Sequence, residues 1–335
     1  MRAGAVPKQS EPFLAARDDR PGFARPDARI FAYLRILRVD HWIKNIFMLP
    51  GVAVGLLFVR PPAEVLALHI ALGFASLCLT ASANYTINEY LDAEFDRFHP
   101  TKKYRAGAQG LLDGRWVTVQ YCALVTAGLS LAWKVGECFW ATSAILLMMG
   151  VIYNVRPLRT KDRRYFDVLS EAINNPLRLL LGWFAVVSMG FPPSSTLLAY
   201  WMGGCFLMAV KRFTEYRSIG NPLLAGLYRR SFNHYTENSL LISAFFYAVC
   251  SSFFLAVFLI KYRIELLLLF PLLSGMFAWY LAIGLKKNSA AQAPERLFLE
   301  GRFMAFVLSL GVLAAVLFRV DIPTLHILLD PVDVH

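Results

Sequence analysis

Apolar stretches recur along this chain roughly every 25 to 40 residues, each closed by a short polar loop. Nine of them approach the ~20 residues that a helix needs to cross a bilayer. They lie at 43–59, 66–90, 116–134, 138–155, 167–188, 194–212, 238–260, 264–284 and 303–320. The two-residue alternation of a membrane β-barrel is absent, so the pattern predicts an all-α, polytopic membrane protein of about nine transmembrane helices. Ahead of the first segment, ARIFAYLRILRVDHWIKN mixes aromatics with cations and suits a short helix at the headgroup level. Residues 1–28, rich in Arg, Asp and Pro and without a signal-peptide core, predict a mobile tail. No repeat or linker divides residues 29–335, which read as one domain.

Composition agrees with this pattern. Of 335 residues, 57% are hydrophobic and 17% charged, too little polar material to coat a soluble surface. The net charge of +11 changes the picture only through its distribution. The N-terminal arm and the loops after the second, fourth, sixth and eighth segments hold 28 of the 34 Lys and Arg. The opposite side has Arg60, Lys134, Lys261, Arg263 and Arg319. That asymmetry is the positive-inside signature and predicts a cell-membrane protein with a cytoplasmic N-terminus and an external C-terminus. It makes anionic membrane lipids, not nucleic acid, the partner of the basic loops. The five cysteines fall in or beside apolar segments without metal-ligand spacing, and read as small hydrophobes.

One feature resists a purely structural reading. The second segment ends in NEYLDAEFDRFHPTKKYR, Asn88 to Arg105, where four carboxylates precede a cluster of cations. Asn84, Asn88, Asp92 and Asp96 are spaced by four and share one drifting helix face, whereas Glu89 and Glu94 point elsewhere. A second stripe opens the fifth segment in DVLSEAINNPLRLLLGW, with Asp167, Glu171, Asn174 or Asn175, and Arg178 on one face. Both stripes start on the same predicted side of the membrane and run inward. A single acid at a helix end is commonly a cap. Two aligned rows entering hydrocarbon, where an ion costs about 2.5–3.5 kcal/mol, imply a hydrated cavity or a counter-ion. Oxygen donors without His or Cys suit Mg2+, which binds few carboxylates and completes its shell with water and substrate phosphate. Lys102, Lys103 and Arg105, with Lys161 and its neighbours, would then meet the remaining phosphate oxygens. The residues therefore predict a diphosphate site at one end of a membrane cavity.

At these positions the chain resembles the UbiA superfamily of intramembrane prenyltransferases, which carries an N-D-x-x-D-x-x-x-D motif and a second motif of D-x-x-x-D type. Asn88, Glu89, Asp92 and Asp96 match the first, with Glu for Asp at 89; Asp167 and Glu171 match the second, with Glu for Asp at 171. VDHWIKNIFMLPG (Val39 to Gly51), DRFHPTKKYR and KRFTEYR (Lys211 to Arg217) resemble its polyprenyl-phosphate phosphoribosyltransferase branch. Ala106 and Gln109 depart from that branch, and the connection YNVRPLRTKDRRYFDV is longer than usual. The resemblance implies a nine-helix bundle and a Mg2+-dependent transferase with a diphosphate leaving group. It implies catalytic roles for Asp92, Asp96, Asp167 and Glu171, and metal ligation by these together with Asn88 and Glu89. Lys44, Asn88, Lys102, Lys103, Arg105, Tyr153, Lys161, Arg178, Lys211 and Arg212 become candidate substrate contacts, with Arg178 meeting either Glu171 or a lipid phosphate.

Three activities compete. The first transfers 5-phosphoribosyl from phosphoribosyl diphosphate to a polyprenyl phosphate; the absence of an obvious general base favours it, because a phosphate nucleophile is already ionised. The second moves a prenyl group from a prenyl diphosphate to an aromatic or isoprenoid acceptor. The third is a non-enzymatic polyprenyl carrier, which would distribute charge on both membrane faces. Each makes a polyprenyl lipid a partner, and the first two add a diphosphate donor.

Overall fold

The computed structural model describes residues 26–99, 101–286, 289–292, 297 and 300–325, and all regular structure among them is helical. The tail predicted over residues 1–28 lies outside the described residues up to position 25. Helix α1 (Pro26–Ile36) comes first, and its buried Ala32 and Ile36 pack on Ala106 and Val117. Arg38, in the left-handed region at φ 50°, turns the chain into a 3-10 helix (Val39–Met48) that runs into α2 (Leu49–Phe58).

The long α3 (Ala63–Leu91) ends at Asp92 and is followed by one turn, α4 (Ala93–Asp96). Two apolar helices, α5 (Gly114–Val135) and α6 (Glu137–Asn154), form a hairpin through Gly136, whose φ of 154° disfavours a side chain. The segment predicted over 167–188 is broken into α7 (Phe166–Ala172) and α8 (Asn174–Phe184). The break follows from Pro176, which has no N–H for the carbonyl four residues back. The Asn174 amide donates to Glu171 O at 3.0 Å and satisfies one of the carbonyls freed there. The remaining helices are α9 (Ser194–Ile219), α10 (Pro222–Tyr228), α11 (Glu237–Tyr262), α12 (Phe270–Leu285) and α13 (Gly301–Leu317).

Among the described residues six stretches, Ile30–Phe58, Ala63–Leu91, Gly114–Val135, Glu137–Asn154, Glu237–Tyr262 and Ile264–Leu285, are long and apolar enough to cross a membrane. The other three predicted segments are helical too: the broken α7–α8 pair, α9, and the 17-residue α13. Phe245, Phe253, Leu308 and Val312 are exposed, the inverse of a soluble surface and the expected dress of a lipid-facing one. The chain is an integral membrane protein.

Lipid tails are as apolar as leucine, so helices in a bilayer associate through close backbone approach. Gly51 of α2 faces the Leu179 carbonyl of α8, and Gly182 of α8 faces the Met48 carbonyl; a Cβ at either glycine would stand 1.9 Å from that oxygen. Buried hydroxyls add cross-helix bonds, from Ser76 to Gly128 O at 2.8 Å and from Ser251 to Ala199 O at 2.9 Å. One apolar core gathers Met48, Leu77, Phe139 and Leu181; a second gathers Phe206, Ala209, Tyr247 and Tyr280. Helices α7 and α8 run between them, and both acidic stripes emerge at the same end of the bundle.

Candidate active site

The face of α3 carrying the first stripe is turned to α6. Asn84 donates to Leu146 O at 3.1 Å, and one turn later Asn88 donates to Asn154 Oδ1 at 2.6 Å and Asp92 Oδ2 at 3.2 Å. Asp92 closes α3, and its Oδ1 receives Arg159 Nη2 at 3.0 Å and the Lys161 ammonium. Burial alone would raise the Asp92 carboxyl, but Lys161 and the Arg159 and Arg229 guanidiniums outweigh it and hold the group below its ordinary value. The same burial lowers Lys161 to about 8, with Asp92 only partly restoring it. One turn on, Asp96 Oδ2 pairs with Arg105 at 2.8 Å. Here burial wins over Arg105 and Lys102, and the Asp96 carboxyl is raised. The two aspartates therefore sit on opposite sides of the ordinary carboxylate value, according to how closely cations approach them. Glu89, on the adjacent face, gives its Oε2 to Arg38 Nη2 at 2.7 Å and so ties the end of α1 to α3; Glu94 is exposed.

The second stripe faces α9. Asp167 is fully buried and accepts from the Tyr235 hydroxyl at 2.7 Å and the Ser231 hydroxyl at 3.0 Å, with Arg212 Nε at 3.4 Å. Arg212 is itself 1% exposed and also pairs with Glu171 and, at 3.0 Å, with Glu215. A buried guanidinium is tolerated only when its charge is compensated, and three carboxylates from two helices do this here. Glu171 Oε2 additionally accepts from the Tyr153 hydroxyl at 2.7 Å.

Two neighbouring residues at the end of α6 join the stripes. Successive side chains on a helix diverge by about 100°. Tyr153 accordingly turns to the second stripe, where its oxygen accepts from Arg212 at 3.3 Å and Arg229 at 3.4 Å. Asn154 turns to the first, bonding Asn88 and Lys161, the latter at 2.7 Å. The loop after α4 completes the enclosure: Lys102 reaches Glu215 Oε1 at 3.4 Å and the Tyr228 hydroxyl. Arg229, next along from Tyr228, is held well above its ordinary value; burial opposes this, but Tyr153, Tyr228, Glu215 and Asp167 prevail.

The structure thus gathers Asn88, Asp92, Asp96, Lys102, Arg105, Tyr153, Lys161, Asp167, Glu171 and Arg212 into one polar cluster. Lys211 sits in the field of Glu171 and Glu215 without an ion pair to either. Lys44 bonds His41 at 3.3 Å and lies near enough to Lys211 to repel it. Lys103 is exposed over the Tyr104 ring, outside the cluster. Arg178 contacts Asn45, not Glu171. Sequence reasoning left Asn154, Tyr228, Arg229, Ser231 and Tyr235 out of the site. The Tyr-Asn pair closing an apolar run carries a signal; the others stand at the end of α10 and in the short stretch after it, where nothing marks them.

Among the described residues no three His, Cys, Asp or Glu converge on one point. The donors nonetheless suit Mg2+. Asp96 Oδ1 and Glu171 Oε1 accept no hydrogen bond among the described residues, and Asp92 Oδ2 accepts only from an uncharged amide. An ion held by one or two of these oxygens keeps most of its shell for water and substrate phosphate, as Mg2+ prefers. Asp167 differs, since both of its oxygens are engaged.

A model of the UbiA prenyltransferase family matches residues 48–316. The chain is 28% identical to the decaprenyl-phosphate phosphoribosyltransferase of Mycolicibacterium smegmatis over 229 residues, 67% of this chain and 69% of that protein. It is 27% identical to the same enzyme of Corynebacterium glutamicum over 62% of this chain and 61% of the relative. With homogentisate phytyltransferase of Synechocystis it shares 28% over 41% of this chain and 44% of the relative. A solved UbiA homolog from Archaeoglobus fulgidus bound to GPP and Mg2+ superposes with a TM-score of 0.64 at 21% identity, covering 83% of this chain and 99% of that one, which is a likeness of fold.

Proposed function

Because the chain belongs to the UbiA prenyltransferase family, whose members are transferases, we propose that it moves 5-phosphoribosyl from phosphoribosyl diphosphate to a polyprenyl phosphate and releases pyrophosphate. The reading rests on one juxtaposition. DRFHPTKKYR and KRFTEYR, the segments that resemble the phosphoribosyltransferase branch, meet where Lys102 contacts Glu215 across 113 positions of sequence. The similarity to decaprenyl-phosphate phosphoribosyltransferases over two thirds of the chain supports the same choice.

In the transfer, the bond from ribose C1 to the diphosphate oxygen breaks and a lipid-phosphate oxygen bonds to C1. Lys161, Arg159, Arg105 and Lys102, which line the cluster through Asp92, Asp96 and Glu215, would surround the departing pyrophosphate, where negative charge grows. Asp92, Asp96 and Glu171, with Asn88 beside them, would hold Mg2+, which would supply the divalent charge that lets a negative leaving group approach an acidic site; Glu89, paired with Arg38, is left out of this set. Asp167 positions Arg212, and Arg212 in turn orients Glu171. Tyr153 donates its proton to Glu171 and is not free to act as a base. A phosphate nucleophile needs none. The acid-rich end would face the cytoplasm, where a soluble donor is supplied, and the nine segments would each span.

The second reading, prenyl transfer, draws on the GPP-bound structural relative and uses the same metal and cation groups. Ligand competition separates the two. With Mg2+, phosphoribosyl diphosphate should bind the purified protein and resist displacement by geranyl diphosphate. Tight Mg2+-dependent binding of geranyl diphosphate, with none of phosphoribosyl diphosphate, would refute the first reading.

A further inference from the structure

Arg178 stands apart from the cations of the acidic cluster. It lies two turns beyond Glu171 and one turn into α8, past the break, where α8 packs between α2 and α6. Those neighbours belong to apolar stretches able to cross the membrane. Arg178 Nε donates to Asn45 Oδ1 at 3.3 Å, and neither Nη is hydrogen-bonded among the described residues. Asn45 is fully buried and committed through its own amide to Cys78 Sγ at 3.3 Å. The nearby Tyr200 hydroxyl is directed to Phe47 O at 3.1 Å. No described carboxylate lies within ion-pair distance of Arg178; those of the second stripe are taken by Arg212.

A guanidinium does not lose its proton in proteins, and leaving one unpaired within a membrane bundle is costly. Asn45 orients the fork without neutralising it, which leaves two nitrogens and a full charge for an anion that the described residues do not supply. Side chains on a helix lean toward its N-terminus, so this fork is biased toward the acid-rich end of α8. An acceptor with a long apolar tail and an ionised phosphate matches that position. An uncharged aromatic acceptor would leave the cation uncompensated.

We infer that Arg178, oriented by Asn45, binds the phosphate of the lipid acceptor. The inference rests on the phosphoribosyl reading in so far as that reading makes the acceptor a lipid phosphate. Its test needs no turnover. Binding of a polyprenyl phosphate and of the matching polyprenol to the full-length protein in detergent is measured by native mass spectrometry, without donor. Wild type should bind the phosphate at least about 10-fold more tightly than the alcohol, the usual worth of charge-assisted hydrogen bonds. Arg178→Met should erase that difference. Asn45→Asp, which sets a carboxylate against the guanidinium and keeps the arginine, should erase it as well and decides the matter if Arg178→Met fails to fold. Neither change should alter Mg2+-dependent binding of phosphoribosyl diphosphate. Retention of the wild-type preference by a folded variant, or no preference in wild type, overturns the inference. Failure of wild type to bind phosphoribosyl diphosphate would instead refute the donor assignment and leave the Arg178 result standing.

Discussion

Asp92 and Asp167 are both acids of the family motifs, yet their surroundings give them different work. Asp92 presents an oxygen that only an amide occupies, whereas Asp167 is closed by two hydroxyls and a guanidinium. Asp92→Asn should therefore lower turnover at least about 100-fold, the scale of removing one stabiliser of transition-state charge, and raise the Mg2+ concentration needed for half activity. Asp167→Asn should lower turnover while leaving that Mg2+ dependence nearly unchanged; a large rise for Asp167→Asn would contradict the division. His99 allows a pH test outside the chemistry. Burial, then the Lys102 charge, lowers its pKa from 6.5 to about 4. The unfolded chain takes up a proton near 6.5 that the folded protein refuses until about 4, so stability falls as pH drops through that window and is unaffected above it. Melting temperatures of wild type and His99→Asn should diverge in slope between pH 6.5 and 4, and parallel curves would argue against the assignment. The aspartates are legible in the sequence because a carboxylate inside an apolar run has contrast. Arg229 has none among the polar residues around it, and only its burial against Tyr153 singles it out.

At the scale of elements, hydrophobic periodicity locates every long helix among the described residues, since length and apolarity decide which segments enter a bilayer. It misses how the fifth segment divides. Pro176 signals a bend, but the clean separation of α7 from α8 depends on Asn174 finding the Glu171 carbonyl. It also misses the glycine contacts, because a glycine acquires meaning only when another backbone arrives beside it. Gly182→Ala puts a methyl 1.9 Å from where the Met48 carbonyl stands. Helices α2 and α8 must then separate, and a loss of about 1–3 kcal/mol is expected for such overpacking. A detergent melting temperature unchanged by Gly182→Ala would show that the two helices do not approach as described. Glu89 shows the reverse limit: its place in the motif suggests a metal ligand, while its tertiary neighbour is Arg38.

For the whole molecule, the distribution of Lys and Arg predicts that the acid-rich end faces the cytoplasm, a statement that reporter fusions at the loops can check. In a variant without the five native cysteines, thiol labelling of single cysteines introduced at Lys103 and at Lys134 should report opposite sides of intact membranes; labelling from the same side would break the topology. Neither motif spacing nor fold distinguishes phosphoribosyl from prenyl donors, because both carry the same diphosphate to the same groups. The distinction lies in which product forms. The most direct measurement is mass spectrometry of lipids after the purified protein is given Mg2+, polyprenyl phosphate, an aromatic acceptor, phosphoribosyl diphosphate and geranyl diphosphate together. A polyprenyl-phosphate lipid heavier by one phosphoribosyl group, formed with release of pyrophosphate and abolished by chelation, is the predicted result. A prenylated aromatic product with no phosphoribosylated lipid would contradict it.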